Sequence, residues 1–313
     1  MPQGPIAVEV VNTAAIGNSW FVNETTGSDS NPGTAQRPFA TLTAAQTAAK
    51  ASNNDIVYLI GSVHLSAPLV WSKAGVSLVG LAAPSDNDRA RISTATTLTQ
   101  TQWTALGPLV TVTAQGCSFV NLGTFHGYGT GSLTAPTTPI CWAENGGRNF
   151  YSNVQFLGGG DTATAAAAAM RSLTIGSDEN LFSGCTIGLD TITRATNVNA
   201  SLEFVAGTSA LPARNTLRQC IFQMLTSLTT DLHCLVTALD RYALFERCSF
   251  FNAITSGGAT NAVAFTIGAG AHGSVLLQYC SSVGSTVYAT SGTIYVDGAV
   301  PTGATSGLAV AAT

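Results

Sequence analysis

Charge is what this sequence has least of. Of its 313 residues 9% are charged, 12 Lys and Arg and 16 Asp and Glu, against roughly 25% in an ordinary soluble domain. The net charge is -4 and the basic residues are scattered, so no positive field exists to hold nucleic acid. No apolar run approaches the ~18 residues of a membrane-spanning helix. The opening "MPQGPIAVEVVNTAAIGNSW" lacks a basic start, an apolar block and a small-residue cleavage site, so no secretory signal is expected. Cysteine pairs spaced CxxC are missing and the seven cysteines are an odd number. That argues against zinc or thioredoxin-like chemistry and for free thiols in a reducing cytoplasm.

What is present is a sizeable apolar fraction, 45%, set in a background of Gly, Ala, Ser and Thr. A surface built this way relies on hydroxyls and backbone for solubility, or is covered by a partner. Aligned on cysteines, the chain shows a repeated unit: "RNFYSNVQFLG", "ENLFSGCTIGL", "RNTLRQCIFQM", "RYALFERCSFF" and "SVLLQYCSSVG", with "TVTAQGCSFVNLG" as a weaker earlier copy. The shared Cys or Val positions are Cys117, Val154, Cys185, Cys220, Cys248 and Cys280. A short constant motif recurring about every 30 residues with variable spacers is the pattern of a parallel β-solenoid. Phe182 to Cys185 is an odd step and needs a bend, whereas Cys185 to Ile187 is an even step on one strand. The unit therefore turns a corner with both arms pointing inward. Asn149, Asn180 and Asn215 precede the Cys or Val site by a constant offset and suit a corner ladder bonded along the stack. The cysteines themselves are expected to be a ladder of buried core thiols; Cys141 and Cys234 fall outside it.

An open stack exposes its first rung and needs a cap. "PFATLTAAQTAAK" supplies one, because Phe39, Leu42, Ala45, Ala48 and Ala49 recur at helical spacing after Pro38, with Thr41 or Thr43 as N-cap. "NDIVYLIGSVHL" then reads as the first buried strand and "AGVSLVGL" as a later one. Together "WFVNETTGSDSNPGTAQRPFATLTAAQTAA", "NDIVYLIG" and "VSLVGL" resemble the leading segment of right-handed parallel β-helix proteins of the pectate-lyase-like superfamily. That family includes lyases, hydrolases, phage tailspikes and non-catalytic virion proteins, so the resemblance implies a fold more than an activity. The expected fold class is all-β: a single-stranded right-handed parallel β-helix with a short N-terminal capping helix at about 38–51. An N-terminal arm is expected at 1–19, the β-helix at 20–296 and a C-terminal tail at 297–313.

An active site on such a scaffold needs clustered carboxylates, two for hydrolysis or several for calcium. The acids here are sparse. Asp86 and Asp88 sit beside Arg89 and Arg91 in "PSDNDRAR", read as a solvated loop; Asp178 and Glu179 in "GSDENLF" are read as turn residues. Glu203 in "NASLEFVAG" alternates with Leu202 and Phe204, so it points outward and is the one acid placed to join a groove, with Arg194 or Asp190 as companions. His64, His126, His233 and His272 are dispersed and form no recognised catalytic or metal motif. "FLGGGDTATAAAAAM" is read as a loop or short helix. Phe150, Phe182, Phe222, Phe245 and Phe250 are assigned to core stacking, and Trp71, Trp103 and Trp142 are either packed at loop bases or free to stack on sugars. No catalytic, cofactor-binding or metal residue is assigned, and no cofactor is expected.

The coil motifs and the ending "GTIYVDGAVPTGATSGLAV" resemble β-helix proteins of tailed bacteriophages. That resemblance implies a virion component made in the host cytoplasm. The expected function is a non-enzymatic decoration or cement protein bound to the major capsid protein and to copies of itself as a homotrimer, with no nucleic-acid or membrane partner. The alternative is a tail-associated protein that binds or degrades polysaccharide.

Overall fold

The computed structural model describes residues 17–81, 90–128, 133–194, 199–207, 211–226, 228–253 and 261–297, the last stretch as backbone alone at 261–262. Asp86, Asp88 and Arg89, and most of the expected terminal arm and tail, lie outside the described residues.

The alternation read in each motif becomes two short strands joined by a corner. Leu181–Ser183 and Thr186–Ile187 are strands of different sheets, and Gly184 between them has φ 62°. The coil continues to a third strand at Ala200–Phe204, after which Asn215–Arg218 begins the next coil beside Leu181–Ser183. Repeated along the chain, this winding builds three parallel sheets. The first has ten strands, from Ser19–Val22 to Ile294–Asp297; the second nine, from Ser62–Leu65 to Ser281–Val283; the third seven, from Leu69–Trp71 to Phe265–Ile267. Parallel crossovers wind right-handed, and the molecule is a right-handed parallel β-helix as the sequence predicts. Helix is confined, among the described residues, to Leu42–Ala48, Gln100–Ala105 and Thr162–Ala165.

Stacking in register puts like residues on like residues. In the first sheet Phe119, Tyr151, Phe182, Leu217, Phe245 and Leu277 form one inward column, all fully buried. Its rings lie face to face, Phe119 on Tyr151 at 4.9 Å and Tyr151 on Phe182 at 4.5 Å. Burying each such side chain contributes about 1.5–3 kcal/mol, and the coils supply the same contact repeatedly. Phe222 and Phe250 face inward from the second sheet as expected. Phe150 does not: it is half-buried on the outer face and Tyr151 takes the core position.

The corners explain the rest of the motif. Asn153, Gly184, Gln219, Arg247 and Tyr279 all have φ between 53° and 62°, and each is followed by a buried residue, Val154, Cys185, Cys220, Cys248 or Cys280. Four of these thiols donate to a carbonyl one coil back: Cys185 to Tyr151, Cys220 to Phe182, Cys248 to Leu217 and Cys280 to Phe245. Cys117 is not their counterpart. It lies just before the first-sheet strand Ser118–Val120, and Leu122 occupies the equivalent corner, as the pairing of Gly123 with Gln155 shows. Cys117 instead heads the asparagine column: its amide donates to Asn149 Oδ1, the amide of Asn149 to Asn180 Oδ1, and that of Asn180 to Asn215 Oδ1. The asparagines are buried, and the left-handed residues are the ones before them, Arg148, Glu179 and Arg214. Those three form an exposed Arg–Glu–Arg stack along the corner. Cys234 joins an inward column of the third sheet between Leu202 and Phe265, and Cys141 lies buried against Thr124 Oγ1 at 3.3 Å.

At the N-terminal end the helix Leu42–Ala48 packs on Ser19–Val22, Ile56–Ile60 and Leu69–Trp71. Thr41 is its N-cap, accepting from the amide of Ala44, and Leu42 and Ala45 are buried beneath it. The preceding polar loop exists to hold this cap. Asp29 accepts from the amides of Ala40 and Thr41 and from Thr41 Oγ1. Gly33, at φ 73°, lies where a Cβ would meet the Phe39 ring at 2.2 Å, so no other residue lets the loop close over Phe39. The run "NDIVYLIGSVHL" proves to be two strands, Ile56–Ile60 and Ser62–Leu65, bent at Gly61.

Candidate functional site

The third sheet turns one row of side chains outward: Thr111, Ala143, Thr174, Glu203, Leu235 and Thr266, in register on successive strands. Over the middle of this row lies a cleft of about 340 Å³. Ala143, Thr174 and Glu203 lie on its floor, as does Arg171 on the strand Arg171–Ile175. Pro108 and Thr138 line it from one side, Ala169 from the alanine-rich connection and Val205 to Gly207 from the end of the neighbouring strand. The polar groups within reach of a ligand are Arg171, Glu203, Asn145, Thr138 and Thr174.

Arg171 and Glu203 are the charged centre. Arg171 Nε donates to Glu203 Oε2 at 2.6 Å, with the two side chains only 10% and 15% exposed. The guanidinium is fixed from behind: Nη1 donates to the carbonyls of Ala168 and Met170, so the end of "FLGGGDTATAAAAAM" serves as its bracket. That segment contains the one-turn helix Thr162–Ala165, capped by Asp161. Glu203 Oε1 accepts from Thr237 Oγ1 at 2.8 Å. The pair is nearly dry and rigid, and such a pair is costly to break by removing one partner.

Glu203 therefore stands where the alternation in "NASLEFVAG" predicts, but its companion is neither expected residue. Arg194 is fully buried inside the coil, donating from Nη2 to Ser201 Oγ at 2.8 Å; burial lowers its pKa to about 10, against the opposing field of Asp231. Asp190 is exposed on another face and lines a second, smaller cavity. Arg171, the partner of Glu203 in the cleft, is the candidate residue that the sequence pattern did not single out.

Of the other predicted positions, Asp178 and Glu179 are corner residues. Asp178 accepts from the amide of Ala213, and the two arginines on Glu179 hold its carboxyl below the ordinary value. Arg91 pairs in register with Ser62 and Gly123 on the second sheet, away from the cleft. His64 is an exposed strand residue paired with Glu24. Trp71, Trp103 and Trp142 are fully buried and present no face to a sugar. Within the core, an inward column of the third sheet is interrupted by Glu144, between Val112 and Ile175. Burial raises its pKa, against the opposing pull of donors from Tyr151, Gly147, Gly146 and Ser177. Among the described residues no group of three or more His, Cys, Asp or Glu is placed to hold a metal ion.

No protein-family model matches the chain, and no curated protein matches it in sequence. Solved structures do match in shape. The chain superimposes on a rhamnogalacturonan lyase with a TM-score of 0.60 at 15% identity, over 85% of this chain and 68% of that one. A pectate lyase gives 0.56 at 13% identity, over 92% and 80%. A pectin methylesterase in complex with a hexasaccharide gives 0.53 at 16% identity, over 88% and 80%. At these identities the likeness is one of fold. It nonetheless corrects the expectation of a chain with no enzymatic role: these three solved structures are enzymes, so the β-helix fold by itself gives no ground for a purely structural protein.

Proposed function

We propose that this chain acts on a polysaccharide held along the outer face of the third sheet, with the Arg171–Glu203 cleft as the reacting position. The carrying observation is a desolvated Arg–Glu pair on the floor of a cleft otherwise lined by hydroxyls, an amide and aliphatic groups. A sugar offers the matching surface: hydroxyls for Thr138, Thr174 and Asn145, and C–H faces for Ile140 and Val205.

Among the described residues lining the cleft Glu203 is the only carboxylate, whereas glycoside hydrolysis ordinarily needs two, about 5–9.5 Å apart. A single base suffices for elimination from a uronate. Glu203 takes the proton from the carbon next to the sugar carboxylate, the C–H electrons form a C=C bond, and the bond to the glycosidic oxygen breaks, that oxygen gaining a proton from water. Arg171 Nη2, which has no partner among the described residues, faces the charge that develops on the carboxylate. The polysaccharides named by the structural neighbours, pectate and rhamnogalacturonan, contain such units and are the first substrates to try. On this reading a virion role, suggested by sequence resemblance, becomes that of a tail-associated, self-associating protein that degrades a host glycan. Proteomics of purified virions is its check.

The test is incubation with polygalacturonate, rhamnogalacturonan and host capsule, reading both new reducing ends and the ultraviolet absorbance of unsaturated uronates. Cleavage with that absorbance is expected, and Glu203→Gln should slow it by roughly 10²–10⁴. No cleavage by the wild type of any of these polymers, or full activity in Glu203→Gln, would overturn the assignment.

A further inference from the structure

A second cavity, of about 280 Å³, opens on the outer face of the second sheet, on a different side of the coil from the Arg171–Glu203 cleft. Its floor is three successive coils: Gln155, then Thr186, then Ile221 and Gln223. Its wall is the turn Leu189 to Thr191. That wall is built rather than draped. The chain leaves the sheet at Gly188, whose φ is 102° and where a Cβ would meet the carbonyl oxygen of Gln223 at 2.0 Å. The Gln223 amide nitrogen donates to the Gly188 carbonyl, tying wall to floor. No residue but glycine can make that approach.

The chemistry of the lining is specific in kind. Asp190 is exposed and its carboxylate has no ion pair or hydrogen bond among the described residues. Two amides and two threonine hydroxyls surround it, and Ile221, 41% exposed, gives an aliphatic patch between them. Among the described residues no cation lines the cavity, so an anionic ligand meets only an unneutralised carboxylate there. On the next coil Phe251 stands in register with Gln223 and is 38% exposed. An aromatic face therefore lies one rung, about 4.8 Å, beyond the polar cavity. A carboxylate and amides to grip hydroxyls, an aliphatic patch, and an adjacent aromatic plane suit a ring whose edge is polar and whose faces are C–H.

We infer that this cavity is a binding site for a neutral sugar, with Asp190 and Gln223 bonding its hydroxyls and Phe251 stacking on the following residue of the chain. The site is independent of the cleft on the third sheet. It would let the protein anchor on a neutral segment of a glycan while the cleft engages another, and it stands whether or not the cleft is catalytic.

Saturation-transfer NMR on the full chain tests it, with the methyl glycosides of galactose, mannose and rhamnose as neutral probes and methyl galacturonide as the charged one. At least one neutral probe should bind, and its affinity should fall by about tenfold in Asp190→Ala. A disaccharide of the same sugar should lose a similar factor in Phe251→Ala. With the cleft's charges removed by Arg171→Met and Glu203→Leu, methyl galacturonide should bind more weakly than methyl galactoside, and adding Asp190→Asn, which keeps the side-chain shape, should narrow that difference. Glu203→Gln should change none of the neutral-probe affinities. The assignment is overturned if no neutral probe binds, if Asp190→Ala and Phe251→Ala bind as the wild type does, or if in the cleft double variant the galacturonide binds at least as well as the galactoside.

Discussion

Arg171 and Glu203 are 32 residues apart in sequence and 2.6 Å apart in space, joined across neighbouring coils on the floor of a cleft. Taking away either partner leaves the other's charge nearly dry. Arg171→Ala or Glu203→Ala should therefore lower stability by about 3–5 kcal/mol, measured by urea denaturation. The double change Arg171→Met with Glu203→Leu removes both charges together and should recover most of that loss. It should nevertheless cleave no polysaccharide. Stability and function thus separate: a double variant that stays folded and still cleaves polysaccharide would remove the pair from the site.

The asparagine column makes a prediction about the scaffold. Asn180 Oδ1 accepts from the amide of Asn149 one coil back, and the amide of Asn180 donates to Asn215 Oδ1 one coil on. Asn180→Ala strands the buried Asn149 amide at the corner. An unsatisfied buried donor costs about 1–3 kcal/mol. The urea midpoint should fall accordingly, and hydrogen exchange at the Asn149 amide should speed up more than at the Asn215 amide, which keeps its own surroundings.

Repetition decides how much of this was legible from the sequence. The coil, its corners and the capping helix follow from short motifs that recur, and a recurring motif carries its own register. Glu203 was legible too, because alternation with Leu202 and Phe204 fixes its direction. Arg171 was not: it opens a strand straight after an alanine-rich stretch, and its partner is set by how many residues the intervening loop absorbs. The errors have the same root. "GCSF" around Cys117 resembles the later "GCTI" and "RCSF", but a first-sheet strand starts straight after it at Ser118, so the alignment slips to the other corner. Phe150 and Tyr151 are adjacent aromatics, and only the pairing of Tyr151 with Phe119 and Phe182 shows which one faces in. Glu144 and Arg194 break the apolar pattern of the interior; Gly146, Gly147 and Tyr151 on its own coil and Ser177 on the next bond Glu144, and Arg194 donates to Ser201 on its own coil, contacts that no recurring motif records.

Two interior histidines set the response to mild acid. Burial lowers the pKa of His126 to about 4, against a weaker opposing pull from the Leu106 backbone, and that of His233 to about 3, from an ordinary value of 6.5; among the described residues neither ring makes a hydrogen bond of good geometry. With the folded values depressed, the unfolded chain takes up protons first as pH falls. Native stability should then decline from about pH 6.5 downward and level off below the folded values, by several kcal/mol in all. His126 stacks on Trp103 at 5.0 Å, so His126→Phe keeps an aromatic ring there without the titration. Melting temperatures measured from pH 7 to pH 4 should fall less steeply for this variant. Identical slopes would mean that the ring is solvated or paired in solution.

The seven thiols should separate into one reactive and six inert. All are free and buried. Burial pushes Cys117 up to about 11 and Cys141 to about 12, and Cys185, Cys220, Cys234 and Cys248 well above the ordinary thiol value. Cys280 moves the other way. It lies on the last of the coils that carry a corner cysteine, where the Cys248 side chain and several backbone groups bond its sulfur and outweigh the cost of burial, and it retains 8% exposure. The thiolate is the nucleophile, so reactivity follows both its population and its access. Iodoacetamide under native conditions, read by peptide mass spectrometry, should label Cys280 first and at least about tenfold faster than any other site. The remaining six should react together, at the rate of global unfolding, because each sits in a column that cannot open without separating coils. Early labelling of Cys185 or Cys220 would mean that the middle of the stack opens before its C-terminal end.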